Sequence, residues 1–138
     1  METEGLLFPE TLTEARTRYA ELEPVARDVV RASAKQMDFD STEFRNRLTD
    51  EVYETAQEAI FASLLRVEIG SREAFENWND EFEGEVTELG GELVDNVAWH
   101  APPWSNHAVA ATFQDERDAA VSTLRRHAFG ELYREVVR

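Results

Sequence analysis

The stretch that most constrains the fold is residues 99–137, WHAPPWSNHAVAATFQDERDAAVSTLRRHAFGELYREVV. It opens on a turn built from Trp99, His100, Pro102, Pro103, Trp104 and His107. From there Val109, Phe113, Ala120, Val121, Leu124, Ala128, Leu132 and Val136 recur at helical spacing, with Phe129 and Tyr133 beside them. A straight helix over 106–137 would be roughly 48 Å long at about 1.5 Å per residue. A chain of 138 residues packs into a globule of roughly 37 Å diameter. The two lengths conflict, so the pattern predicts one of three outcomes. The helix starts at Thr112, where Asp115 three residues on completes a capping box, and not at Ser105; or it breaks near Gly130; or its end overhangs and packs on a second copy of the chain.

Upstream, the sequence predicts helices and a small sheet. Pro9 opens a helix to about Glu21, and Pro24 opens a second whose core face is Val25, Ala26, Val29, Ala32 and Met37. Asp40 with Glu43 caps a third, which carries Phe44, Leu48, Val52, Ala56, Ile60 and Leu64 and breaks near Thr49-Asp50. Alternation in Leu65-Arg66-Val67-Glu68-Ile69 then signals a half-buried strand. Ser71 caps a short helix bearing Phe75, Trp78 and Phe82, which Gly84 stops. Further strands are expected at 85–89 and 93–100, on either side of the Gly90-Gly91 turn. The expected fold is therefore α+β and mostly α. About four to five helices accompany a two- or three-stranded sheet, with a βαβ unit over 65–89 and a third, antiparallel strand, all within a single domain spanning 1–138.

Composition excludes several functions. There are 29 acidic residues against 14 basic ones, a net charge of −15, and Lys35 is the only lysine. Such a field repels phosphate, so binding to nucleic acid is not expected. Absence of cysteine removes disulfides, thiolate chemistry and cysteine-based metal sites. No apolar run reaches the roughly 20 residues of a membrane span, and METEGLLFPE lacks the features of a signal peptide, so a cytoplasmic location is the expectation. An acid-rich, lysine-poor chain suits concentrated salt, which screens carboxylate repulsion. The nine acids between Glu73 and Asp95, with no base among them, then read as solvated surface.

Two candidate sites remain. His100 and His107, with Trp99 and Trp104, sit around the double proline; they could serve as metal ligands, as an acid–base group, or as part of a hydrolase or small-molecule site. Against this, a proline turn separates the two histidines where zinc helices place them at i and i+4, no serine lies in a nucleophile elbow, and no phosphate-binding glycine motif occurs. The competing reading makes the turn a cover on the core, with His100 in a structural hydrogen bond. Arg117, Arg125 and Arg126 form the second candidate, an anion site on the closing helix, where 117–138 carries five Arg against three acids. The competing reading pairs them with the acids of 73–95 or with carbonyls at the helix end. No cofactor or metal is implied.

The segments VDNVAWHAPPW and AVAATFQDERDAAVSTLRRHAFGELYR resemble a family of small acidic haloarchaeal proteins of unassigned function. The resemblance extends over the whole chain and implies a haloarchaeal cytoplasm, but it supplies no catalytic residues. The functional expectation is a non-enzymatic protein acting through protein contacts, with a homodimer through the C-terminal helix as one form of it. The alternative is a small-molecule, metal or hydrolase site around Trp99–His107.

Overall fold

The computed structural model describes residues 1–91 and 93–138. In chain order it contains β1 (Glu2–Glu4), α1 (Leu12–Glu21), α2 (Glu23–Gln36), α3 (Ser41–Arg47), α4 (Asp50–Leu64), β2 (Val67–Ser71), α5 (Arg72–Glu81), β3 (Glu85–Leu89), β4 (Asn96–His100), β5 (His107–Phe113) and α6 (Arg117–Ala128). A π-helical turn, Phe129–Tyr133, and a last helical turn, α7 (Arg134–Val137), complete it. Among the described residues no helix is long and apolar enough to cross a membrane.

The strands form one sheet in the order β1-β2-β4-β5-β3. β3 and β5 are parallel; the other neighbours are antiparallel. The α+β class holds, but the expected two- or three-stranded sheet is corrected to five strands. The two extra strands leave little trace in sequence. β1 is three polar residues on the sheet edge. β5 lies between β4 and β3 with Ala108, Val109, Ala110 and Ala111 all buried, so it is apolar on both faces and shows no period of two. Its alanines, and Val109 with Phe113 four residues on, imitate a helix.

The closing helix therefore starts at neither Ser105 nor Thr112. Ser105 lies in the β4–β5 connection, and Thr112 sits in β5, donating its hydroxyl to the Leu89 carbonyl at 3.3 Å. The helix begins at Arg117 and runs 12 residues, which removes the conflict of length. Around Gly130 the helical path widens into the π turn and then resumes.

The 65–69 strand is shifted to Val67–Ser71, the 85–89 strand is as expected, and 93–100 shortens to Asn96–His100. β2 and β3 do run in one direction, but they are not neighbours, because the antiparallel β4 and β5 insert between them. α5 consequently crosses the sheet, where Phe75 packs with Val97, Trp99 and Ala110, and Trp78 and Val86 close the edge. The opposite face carries the larger core: Ala98, Val109 and Ala111 meet Tyr19, Phe61, Leu124 and Phe129 from α1, α4 and the closing segment. Successive strand residues point to opposite faces, so Trp99 belongs to the α5 layer and His100 to the helical core.

Helix ends follow local chemistry. Thr11 caps α1 through the Glu14 amide (3.0 Å), so the helix starts at Leu12 and not at Pro9. Asp40 accepts the Glu43 amide (2.8 Å), Thr49 caps α4 at the expected break, and Ser71 accepts from Ala74 (3.1 Å). The inner face of α2 is corrected: Ala26 and Ala34 are buried, whereas Val25, Val29 and Met37 are 45%, 48% and 63% exposed. α2 packs on α4 outside the main core, and a side chain as small as alanine permits that close approach.

Candidate functional site

His100 ends β4 and is 1% exposed. Its Nδ1 lies 2.6 Å from the Arg66 carbonyl and its Nε2 lies 2.6 Å from the Tyr133 hydroxyl. A carbonyl only accepts, so Nδ1 carries the proton; Nε2 then accepts from the Tyr133 O–H. Burial is the main force on the ring and outweighs the carbonyl, which favours the charged form; the nearby Arg66 and Arg125 charges act with burial, and the pKa falls to about 4. Burial also pushes the Tyr133 phenol well above its ordinary range. Both groups are held neutral around pH 7. The π turn carries Tyr133 inward beside Phe129, their rings stacked at 6.5 Å, and Trp104 meets Tyr133 edge-on at 5.3 Å.

This geometry leaves His100 without a free lone pair, since its only accepting nitrogen is occupied by Tyr133. An acid–base role would require that bond to open inside the core. The arrangement holds the end of β4 to the residue before β2 and to the closing segment.

His107 stands two residues before Val109, the β5 partner of His100. Its Nε2 lies 2.7 Å from the Thr87 hydroxyl and 3.3 Å from a Glu131 carboxylate oxygen. The two histidines share no partner, and among the described residues no three of His, Asp and Glu gather as a metal-ligand set. Ser105 exchanges hydrogen bonds with the His107 backbone, its hydroxyl accepting from the amide (3.1 Å) and donating to the carbonyl (3.2 Å). It is a turn-forming serine.

The arginine cluster is divided. Arg117 bridges Glu2 (2.8 Å) and Glu4 (3.4 Å), Arg125 donates to the Leu65 and Glu4 carbonyls (2.9 and 3.3 Å), and Arg126 reaches Thr123. Arg134 and Arg138 pair with Glu58. Their acidic partners are Glu2, Glu4, Glu54 and Glu58, outside the 73–95 stretch. Of that acidic stretch Glu88 is bound, by Arg72 at 2.7 Å; the same guanidinium donates to the Gly91 and Val94 carbonyls.

Two features escaped the sequence reading. The first is a cavity of about 220 Å³ at the sheet end, bordered by Phe8, Arg66, Glu68, Trp78, Trp99 and His100. Arg66 lies with its guanidinium 4.1 Å from the Phe8 ring centre and 3.9 Å from Glu68. The buried Arg66 Nε–H and Trp99 Nε1–H have no acceptor among the described residues. A buried donor left unpaired costs about 1–3 kcal/mol.

The second feature is an apolar groove of about 420 Å³ between α2, α3 and α4, lined by Val29, Met37, Phe39, Arg47, Leu48 and Val52 among others. Of the stripe that reads as core in sequence, Val29 and Met37 line this groove and Val25 is exposed. Residues 23–47 hold five bases (Arg27, Arg31, Lys35, Arg45, Arg47) and five acids (Glu23, Asp28, Asp38, Asp40, Glu43), a net charge of zero in a chain of −15. Arg27 pairs with Glu23, while among the described residues Arg31, Lys35, Arg45 and Arg47 make neither an ion pair nor a side-chain hydrogen bond. Arg47 rests on the Phe39 ring at 5.3 Å.

Fold and site together define an α+β protein with a five-stranded mixed sheet, helices on both faces, and a buried histidine locked between a carbonyl and a tyrosine. The chain belongs to a family of unknown function, DUF5809, which matches residues 6–134. Neither the curated proteins nor the solved structures contain a match to it.

Proposed function

We propose that this is a non-enzymatic protein that works by receiving an acidic amphipathic helix of a partner protein in the groove between α2, α3 and α4. The observation that carries this reading is the coincidence of exposed Val29, Met37 and Val52 with Arg47, which has no ion-pair partner among the described residues, in the lining of one groove. An apolar groove takes the i, i+3, i+4, i+7 side chains of a helix. Arg47 in the groove wall favours acids on the flank of that helix. In the same reading the chain works in the salt-rich cytoplasm of a haloarchaeon, where salt screens its net charge and strengthens apolar contacts. A homodimer through the closing helix has less support, because Val121, Leu124, Phe129, Leu132 and Val137 are buried in the chain's own core.

The test uses two synthetic helices with the same leucine stripe, one flanked by glutamates and one by lysines. At the lowest salt in which the protein stays folded, the glutamate peptide should bind about tenfold more tightly or better. Val29→Asp, a change at an exposed position, should abolish binding while leaving the melting curve unchanged. Equal affinity for both peptides, or binding indifferent to Val29→Asp, would refute the proposal. So would light scattering that finds a dimer which Val29→Asp dissolves, because the groove would then belong to a second copy.

A further inference from the structure

We infer that the cavity between Arg66, Trp78 and Trp99 is a binding site for a small aromatic carboxylate. Its walls are flat rings: Trp78 and Trp99 lie 5.6 Å apart and tilted by 34°, Trp78 stacks on Phe82 at 4.7 Å, and Phe8 stands on the other side under the Arg66 guanidinium. At about 220 Å³ the space exceeds that of a single water molecule several-fold and accommodates one substituted ring.

The polar groups narrow the choice. Arg66 Nε–H and Trp99 Nε1–H are buried donors without an acceptor among the described residues, on two residues that both border the cavity, and Trp99 is 1% exposed. His100 cannot serve them, because both its nitrogens are engaged by the Arg66 carbonyl and Tyr133. Glu68 approaches Arg66 only to 3.9 Å, leaving the guanidinium fork free to take a carboxylate. Arg66 places a cation on the cavity wall, 3.9 Å from the Glu68 carboxylate, in a chain that is acidic as a whole. A ligand with a flat apolar body and two carboxylate oxygens meets these demands together. The site shares no lining residue with the α2–α4 groove and stands or falls separately.

Benzoate is a suitable probe, with benzyl alcohol as the uncharged control, followed by the indole N–H resonances of the three tryptophans. Benzoate should shift the Trp99 and Trp78 signals saturably and leave Trp104 in place, with benzyl alcohol at least about tenfold weaker. Arg66→Gln should weaken benzoate by about tenfold or more while the Trp104 indole keeps its position, which reports an intact core. If Arg66→Gln fails to fold, Trp78→Phe at a half-buried position provides the second variant, and benzoate affinity should again fall. The inference is overturned if the Trp99 shift grows linearly without saturation, if benzyl alcohol binds as well, or if the folded variant binds benzoate unchanged. It is equally overturned if the Trp99 N–H shows contact with a long-lived internal water that benzoate does not displace.

Discussion

Acid should unfold this protein through His100 before its carboxylates dominate. In the unfolded chain the ring titrates near its ordinary value of 6.5; in the fold its pKa lies at about 4. Between those values the unfolded state binds a proton that the folded state refuses, so stability falls as pH falls through this window and is fully present above it. At about 1.4 kcal/mol per factor of ten, the complete term is about 3 kcal/mol, of which about 2 kcal/mol is lost between about pH 7 and pH 5. The assay is urea denaturation at closely spaced pH values on the native chain and on His100→Gln. Glutamine keeps an amide donor for the Arg66 carbonyl and an oxygen for Tyr133, but it has no proton to gain. The variant should be less stable at neutral pH and should lack this part of the slope. Parallel curves for the two proteins down to about pH 5 would refute the reasoning, because they would place the His100 proton outside the linkage.

Three further outcomes follow from the same contacts. Tyr133→Phe leaves His100 Nε2 buried without a donor and should cost about 1–3 kcal/mol by urea denaturation, with a shallower pH dependence since the neutral ring loses its partner. Gly84→Ala should destabilise by about 2 kcal/mol or more in a thermal melt, because a Cβ there collides with the Asn106 carbonyl that accepts the Glu85 amide at the start of the β3–β5 ladder. Raising sodium chloride from low to molar concentration should raise the melting temperature, since a net charge of −15 repels itself and the added ions screen that repulsion.

What was legible in the sequence was what local chemistry decides. The Asp40 and Ser71 caps, the break near Thr49-Asp50 and the Phe75–Trp78–Phe82 face needed only neighbouring residues to be recognised. Failures came where tertiary context outweighs the pattern. β5 is a central strand without alternation, and nothing in HAVAATF distinguishes a strand buried on both faces from a helical turn. β1 takes its existence from pairing with β2, not from its own polar residues. The stripe on α2 has helical period, yet periodicity cannot say whether an apolar face meets the core or the surface. At the candidate site, the structural hydrogen bond weighed for His100 is the arrangement found, but its partners, Tyr133 and the carbonyl of Arg66, lie 33 and 34 residues away and leave no mark at short range. The cavity beside it, likewise, is assembled from β2, α5, β4 and the segment before α1.

The chain carries two methionines, and they report on the two proposed sites separately: Met37 lines the α2–α4 groove and Met1 borders the aromatic cavity. Methyl resonances of a protein labelled at methionine, recorded while the glutamate-flanked helix is added, therefore test the docking claim directly. The Met37 methyl should move and saturate while Met1 stays fixed. A stationary Met37 under conditions where the peptide is bound, or a shift confined to Met1, would contradict the claim that the groove is where this protein meets its partner.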